Sequence, residues 1–158
     1  MKQRFTTWRR SRAVRHPDYD YRSDAIVHLT VCADRGRPFA DAALARCVCE
    51  AVKFRCRKLG YRLYGYCLMP DHLHVLLSPG ESREPIRVWL QRFKSFTAHE
   101  YARGGGMPPL WQRSAHDHIC REDETAETVL AYIVRNPERA GLVEDWREWE
   151  WTKTFVDV

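Results

Sequence analysis

No stretch of this chain approaches the ~18 consecutive apolar residues of a membrane span. Its charged N-terminus also lacks the apolar core of a secretory signal. The sequence therefore predicts a cytoplasmic protein with reduced thiols. The six cysteines, Cys32, Cys47, Cys49, Cys56, Cys67 and Cys120, include no Cys-x-x-Cys pair. Cys47 and Cys49 fall in a helical stretch and face different directions, which argues against a zinc knuckle. There is no His-Glu-x-x-His motif and no internal repeat. Acidic residues are in deficit, with 21 Asp and Glu against 26 Lys and Arg, for a net charge of +5. Arg4, Arg9, Arg10, Arg12 and Arg15 crowd the N-terminus. That balance points to an anionic partner, most simply nucleic acid, against the plainer alternative of a merely basic surface.

What is present fits one globular domain. The chain has 158 residues, 44% hydrophobic and 30% charged, enough to bury a core. Residues 1–23 read as a basic arm with no core of its own, carrying Trp8, Tyr19 and Tyr21, and residues 24–158 read as the domain. Residues 25–32 are apolar and β-branched, a first strand. Asp41 can cap a helix through Leu44, Val48, Val52 and Leu59 that Gly60 ends. Residues 61–68 and 72–78 read as strands joined by a turn at Pro70-Asp71. Ile86, Trp89, Leu90, Phe93 and Phe96 keep helical spacing over residues 84–103. A strand region, interrupted, follows at 110–113 and 116–120. A third helix is expected over 122–135, with Asp123 and Glu124 at its positive end. The order β-α-β-β-α-β-α predicts an α+β fold: a ferredoxin-like split βαβ with a mainly antiparallel sheet, helices on one face and a C-terminal helix.

Two features carry chemistry. His72 and His74 flank Leu73 at the start of a strand, so alternation points both imidazoles to one face, where a pair can chelate one metal ion. Far down the chain, Tyr132 and Asn136 are four residues apart and share a face if both are helical. Pro137 discourages helix at Asn136, so the plainer alternative makes Tyr132 a core residue and Asn136 a cap. Two imidazoles and an amide oxygen suit Mg²⁺ or Mn²⁺, and Zn²⁺ also fits these ligands. An open position on such an ion takes a phosphate oxygen, and a nearby phenol can attack the phosphorus.

Met69-Pro70-Asp71-His72-Leu73-His74, then Trp111-Gln112, Arg121-Glu122-Asp123-Glu124 and Tyr132-Ile133-Val134-Arg135-Asn136-Pro137, resemble the single-tyrosine HUH transposases, and among them the REP-associated tyrosine transposases. The likeness runs from about Ile26 to Trp151, with four motifs in the family's order. The resemblance implies a metal-dependent single-stranded DNA endonuclease and strand transferase acting on hairpin-containing DNA. By that likeness His72 and His74 are metal ligands, and Asn136 stands where the family has a third polar ligand. Tyr132 is the nucleophile that forms a 5′-phosphotyrosine. Both a homodimer and a monomer fit the family.

Arg87, Arg92, Lys94, Arg113, Arg121, Arg135 and Arg139 are the candidate phosphate contacts, which would make affinity fall with salt. Trp8, Tyr21 and Trp111 are candidate stacking platforms for unpaired bases, Trp111 equally a core residue. A second function class is a domesticated, non-cleaving nucleic-acid-binding protein of the same fold. A third is a zinc hydrolase using His72, His74 and one of His116 or His118.

Overall fold

The computed structural model describes residues 24–158 apart from Arg83; the basic arm at 1–23, with Trp8 and Tyr21, lies outside the described residues. The strands are β1 (Val27–Cys32), β2 (Arg62–Leu68), β3 (His72–Ser78), β4 (His116–Ile119) and β5 (Thr152–Thr154). They form one sheet in the order β4-β1-β3-β2-β5, with every pairing antiparallel. The helices are α1 (Ala42–Leu59), α2 (Ile86–Arg103), α3 (Ala126–Val134) and the single turn α4 (Asn136–Arg139).

Local chemistry sets the element ends. The Asp41 carboxylate accepts from the Leu44 amide at 2.8 Å, satisfying an orphan donor at the start of α1. Gly60 ends α1 in the left-handed region at φ 73°, where a side chain would be strained. β2 and β3 turn back on each other through Pro70-Asp71, with the Met69 amide donating to the His72 carbonyl. The interrupted region after the glycine loop is an isolated bridge, Ala33 to Trp111, followed by β4.

The sheet separates two cores. Val27, Leu29 and Val31 of β1 and Leu73, Val75 and Leu77 of β3 face α1 and α2, where Val48, Val52, Trp89 and Phe93 fill the space. Cys67 and Leu76 point the opposite way and pack under Leu130, Ile133 and Val134 of α3. Helices on one face therefore describes α1 and α2; α3 covers the other face. Its apolar positions at Leu130, Ile133 and Val134 need a surface, and the alternate residues of β2 and β3 supply it. Full burial of Leu130 or Ile133 contributes about 1.5–3 kcal/mol each.

The start of α3 differs from the sequence expectation. Thr125, not the acidic run, is the cap, accepting from the Thr128 amide at 3.2 Å. Glu124 lies outside the helix and accepts from the Arg121 amide and from His118. The helix also ends early. Arg135 has φ −84° and ψ 3°, and Asn136 opens α4, so Tyr132 and Asn136 do not share one continuous helix. Pro137 explains the break, since it restricts the residue before it.

Gly65 marks the close approach of α3 to the sheet. A Cβ there would lie 2.7 Å from a Leu130 methyl and 2.8 Å from the Lys153 carbonyl oxygen. Gly65→Ala is expected to destabilise the protein by about 1–3 kcal/mol, as overpacking does. Urea denaturation followed by circular dichroism would measure this, and an unchanged midpoint would contradict the tight α3–sheet contact.

Candidate functional site

β3 is paired with β1 on one side and β2 on the other, so the side chains of His72 and His74 are held at fixed positions on the α3 face. Their Nε2 atoms approach to 3.1 Å, and the rings meet edge to face. His74 is buried, 7% exposed; His72 is partly exposed.

Each remaining ring nitrogen is engaged. His72 Nδ1 is 2.6 Å from Asp71 Oδ1. The carboxylate only accepts, so Nδ1 carries the proton and Nε2 presents its lone pair. His74 Nδ1 lies 3.0 Å from His28 Nε2 and 3.2 Å from Thr30 Oγ1, both on β1. Burial pushes the His74 pKa well below its ordinary value, aided by the positive charge of His72, His28 and Arg139. Burial likewise lowers His28, to about 4, with His118 adding to the effect. Neutral imidazoles are the form that binds metal.

This donor set fits a divalent ion. Two nitrogens each about 2.1 Å from one ion stand about 3 Å apart when they subtend a right angle. The Nε2 separation has that size, and a carboxylate behind the outer nitrogen of a ligating histidine is a recurrent support. Asn136 is placed differently from the two histidines. Its amide nitrogen donates to the Ile133 carbonyl at 2.8 Å, so it caps the last turn of α3 as the plainer sequence alternative had it. Among the described residues, no group of three or more His, Cys, Asp or Glu side chains is assembled for a metal. His118 belongs elsewhere, with its Nε2 2.9 Å from Glu124 Oε2.

Tyr132 is not a core residue. It stands on the outer side of α3, 61% exposed, while Leu130 and Ile133 face the sheet. The guanidinium of Arg139 lies 4.1 Å from its ring centroid and donates to its backbone carbonyl at 2.8 Å. The charge of Arg139 also acts on His74. One cation therefore links the tyrosine with the histidine pair. On the other flank, Tyr132 lines a shallow depression with His28, His118, Glu124, Thr128 and Val129.

The other basic candidates scatter. Arg87 and Arg92 are exposed on α2, the helix that covers the opposite face of the sheet, and Arg92 lies 3.6 Å from Glu84. Arg113, Arg121 and Arg135 are exposed, Arg121 and Arg135 at the two ends of the segment that carries α3. Lys94 has an internal task. Its ammonium donates to the carbonyls of Gln112, at 2.8 Å, Arg113 and Ser114. Those three bonds occupy its donors, so a free phosphate contact from Lys94 is corrected to a tie between α2 and the loop before β4. Trp111 resolves to the core: it is buried, its Nε1 donates to Thr97 Oγ1 at 2.8 Å, and its ring packs on Phe39 and Phe93. It is not a stacking platform.

Sequence reasoning did not single out His28, Thr30 or Arg121–Glu124 pairing as parts of this neighbourhood. The alternation of β1 put His28 and Thr30 on one face, but only the register with β3 and β4 shows what they meet. His28 stands opposite His118, and Thr30 opposite His74.

A family model described as "Transposase IS200 like" matches residues 21–136, most of the chain and all of the elements that carry the histidines and Tyr132. The chain belongs to the IS200-like transposase family. A curated Haemophilus influenzae protein named for the REP-associated tyrosine transposases is 26% identical over 123 residues, covering 69% of this chain and 68% of that one. A solved structure of a REP-associated tyrosine transposase bound to a REP hairpin superposes with a TM-score of 0.69 at 18% identity, over 82% of this chain and 76% of that chain. This second likeness establishes a shared fold for the transposase domain. Among the described residues, no helix is long and apolar enough to cross a membrane. The six cysteines are free thiols, and burial pushes those of Cys49 and Cys56 up to about 12, which leaves them unreactive.

Lys94→Met tests the tie. Loss of three charge-assisted bonds to carbonyls is expected to lower stability by about 1–3 kcal/mol. Chemical denaturation would read it; wild-type stability would show that the ammonium is not holding the loop.

Proposed function

We propose that this transposase is a metal-dependent single-stranded DNA endonuclease and strand transferase that works through a 5′-phosphotyrosine on hairpin-containing DNA. The observation that carries the reading is the convergence of two histidine Nε2 atoms at 3.1 Å, each with its Nδ1 engaged, on the face of the sheet that α3 covers. His72 and His74 would hold Mg²⁺ or Mn²⁺. Asn136, whose amide nitrogen is committed to Ile133, retains an oxygen to offer as a third ligand. When bound, the ion would draw charge from a non-bridging phosphate oxygen and make the phosphorus more electrophilic.

The residues of the chain account for the remainder. The Tyr132 phenol loses its proton and its oxygen bonds to phosphorus as the bond to the 3′ oxygen breaks. The departing DNA end takes a proton and leaves as a 3′-hydroxyl. A 3′-hydroxyl attacking the phosphotyrosine reverses these bonds, restores the phenol and joins strands. One phosphoester replaces another, so no nucleotide hydrolysis is needed. Arg139, beside the phenol and felt at His74, supplies positive charge where the phosphate must sit. Arg113, Arg121 and Arg135 would guide the strand, and the arm at 1–23 would add charge to a domain spanning 24–158. The same reading has the protein work in the cytoplasm. The hairpin preference rests on the neighbour solved with a REP hairpin. A homodimer and a monomer are both compatible with this reading.

The test is incubation of labelled hairpin oligonucleotides of diverse sequence with Mn²⁺ or Mg²⁺, resolved on a denaturing gel. A metal-dependent protein–DNA adduct is expected from the wild type. Tyr132→Phe should bind DNA yet form no adduct, and an adduct retained by that variant would remove Tyr132 from the role. Binding across the pool with no cleavage under either ion would favour the domesticated, non-cleaving nucleic-acid binder instead. Arg139→Ala is expected to slow cleavage by about 10²-fold and to reduce the slope of log affinity against log salt by about 0.7. Lys94→Met should leave that slope unchanged. Equal slopes for wild type and Arg139→Ala would show that Arg139 contacts no phosphate.

A further inference from the structure

The sheet carries a row of imidazoles across three strands: His72 and His74 on β3, His28 on β1 and His118 on β4. The row is continuous at its inner end. His28 Nε2 lies 3.0 Å from His74 Nδ1, and His28 stands opposite His118 in the β1–β4 register. His28 has no place in the ligand set or among the strand-guiding arginines, yet it meets the outer nitrogen of the most buried ligand.

A neutral imidazole has one protonated nitrogen. For His74 to present its Nε2 lone pair beside that of His72, its proton must sit on Nδ1 and be donated. Two acceptors are within reach, His28 Nε2 at 3.0 Å and Thr30 Oγ1 at 3.2 Å. If His74 instead kept its proton on Nε2, that proton would point at His72 Nε2, 3.1 Å away, and close the space a metal needs. The group behind Nδ1 therefore selects between a metal-ready tautomer and a closed one. His72 has an anionic acceptor, Asp71, for the same purpose. Behind its Nδ1, buried His74 has only neutral acceptors.

We propose that His28 is the positioning residue for the metal site: its Nε2 accepts the His74 Nδ1 proton and so turns the His74 Nε2 lone pair toward His72. The inference rests on His72 and His74 being the metal ligands. His28 touches neither metal nor DNA in this role. It acts through His74, as a partner behind a metal-bound histidine does elsewhere. Because the same imidazole also lines the depression beside Tyr132, the strand that sets the ligand also forms part of the floor under the nucleophile.

The experiment is Mn²⁺ titration of the full chain by calorimetry, without DNA, for wild type, His72→Ala, His28→Ala, His28→Gln and Thr30→Val, with the melting temperature of each. Wild type should bind and His72→Ala should not. His28→Ala should lose about 10–100-fold in affinity, and His28→Gln, which keeps an acceptor oxygen, should recover most of it. Thr30→Val should bind like wild type. Long-range ¹H–¹⁵N spectra of the wild type with diamagnetic Mg²⁺ should show His74 protonated at Nδ1, a readout that needs no variant to fold. Wild-type affinity in His28→Ala, a loss confined to Thr30→Val, or an Nε2-protonated His74 would each overturn the proposal while leaving the metal reading intact. Absence of Mn²⁺ binding by the wild type would overturn the metal reading and this inference with it.

Discussion

The central position of β3 is the constraint on which the site depends. With β1 bonded along one edge and β2 along the other, its register cannot slip by one residue without turning every side chain to the wrong face. Leu73, Val75 and Leu77 enter the larger core against α1 and α2, and that burial fixes the opposite face by default. His72 and His74 are thus oriented by the leucines and valine between and after them. The apolar interaction that stabilises the strand also aims the imidazoles, and no polar contact is needed to choose their side.

A second consequence concerns α3. A helix packed over Leu76 and Cys67 shields part of that face, while the histidines near the start of β3 remain beside its C-terminal end. Tyr132 is carried outward on the same helix whose Leu130 and Ile133 hold it down. Burial and chemistry are divided around one helix, one or two residues apart. Arg139 then bridges the gap between them, stacked on the Tyr132 ring and bonded to its carbonyl. A short break at Arg135 makes this possible, because α4 departs from the line of α3 and brings Arg139 back toward the tyrosine.

Much of the fold was legible because local signals agreed with long-range ones. The strand at 72–78 followed from alternation and from the Pro70-Asp71 turn, and α1 from Asp41 and Gly60 at its ends. The β-α-β-β-α-β order pointed to the sheet that is present. Misreadings arose where a local signal had a tertiary competitor. The acids at 122–124 looked like the first turn of a helix, but Glu124 is drawn to His118 and the Arg121 amide, and Thr125 takes the cap. Lys94 looked like one of several exposed cations on a helix. Nothing local to Lys94 reveals that three carbonyls from residues 112–114 would converge on it. The pairing of His28 with His74 was equally hidden, since 46 residues separate them and only the β1–β3 register brings them together. Motif spacing could nominate His72, His74 and Tyr132, but not the groups that stand behind them.

The depth of the two histidines separates their electrostatic problems. His72 is partly exposed and can keep a carboxylate, Asp71, at 2.6 Å, because water screens the charge of that carboxylate. A carboxylate behind His74 would be buried under α3 with the arginine cation near but not bonded, at a desolvation cost of several kcal/mol. A neutral imidazole and a hydroxyl on β1 give His74 acceptors without that cost. The asymmetry between an anionic partner outside and neutral partners inside therefore follows from burial. It leaves the two facing Nε2 atoms with neutral groups behind one and a carboxylate behind the other, and Arg139 as a fixed positive charge felt at His74. On the proposed reading, a cation would sit between the nitrogens and a phosphate beside the arginine, the charge pattern that phosphoryl transfer to a phenol would call for.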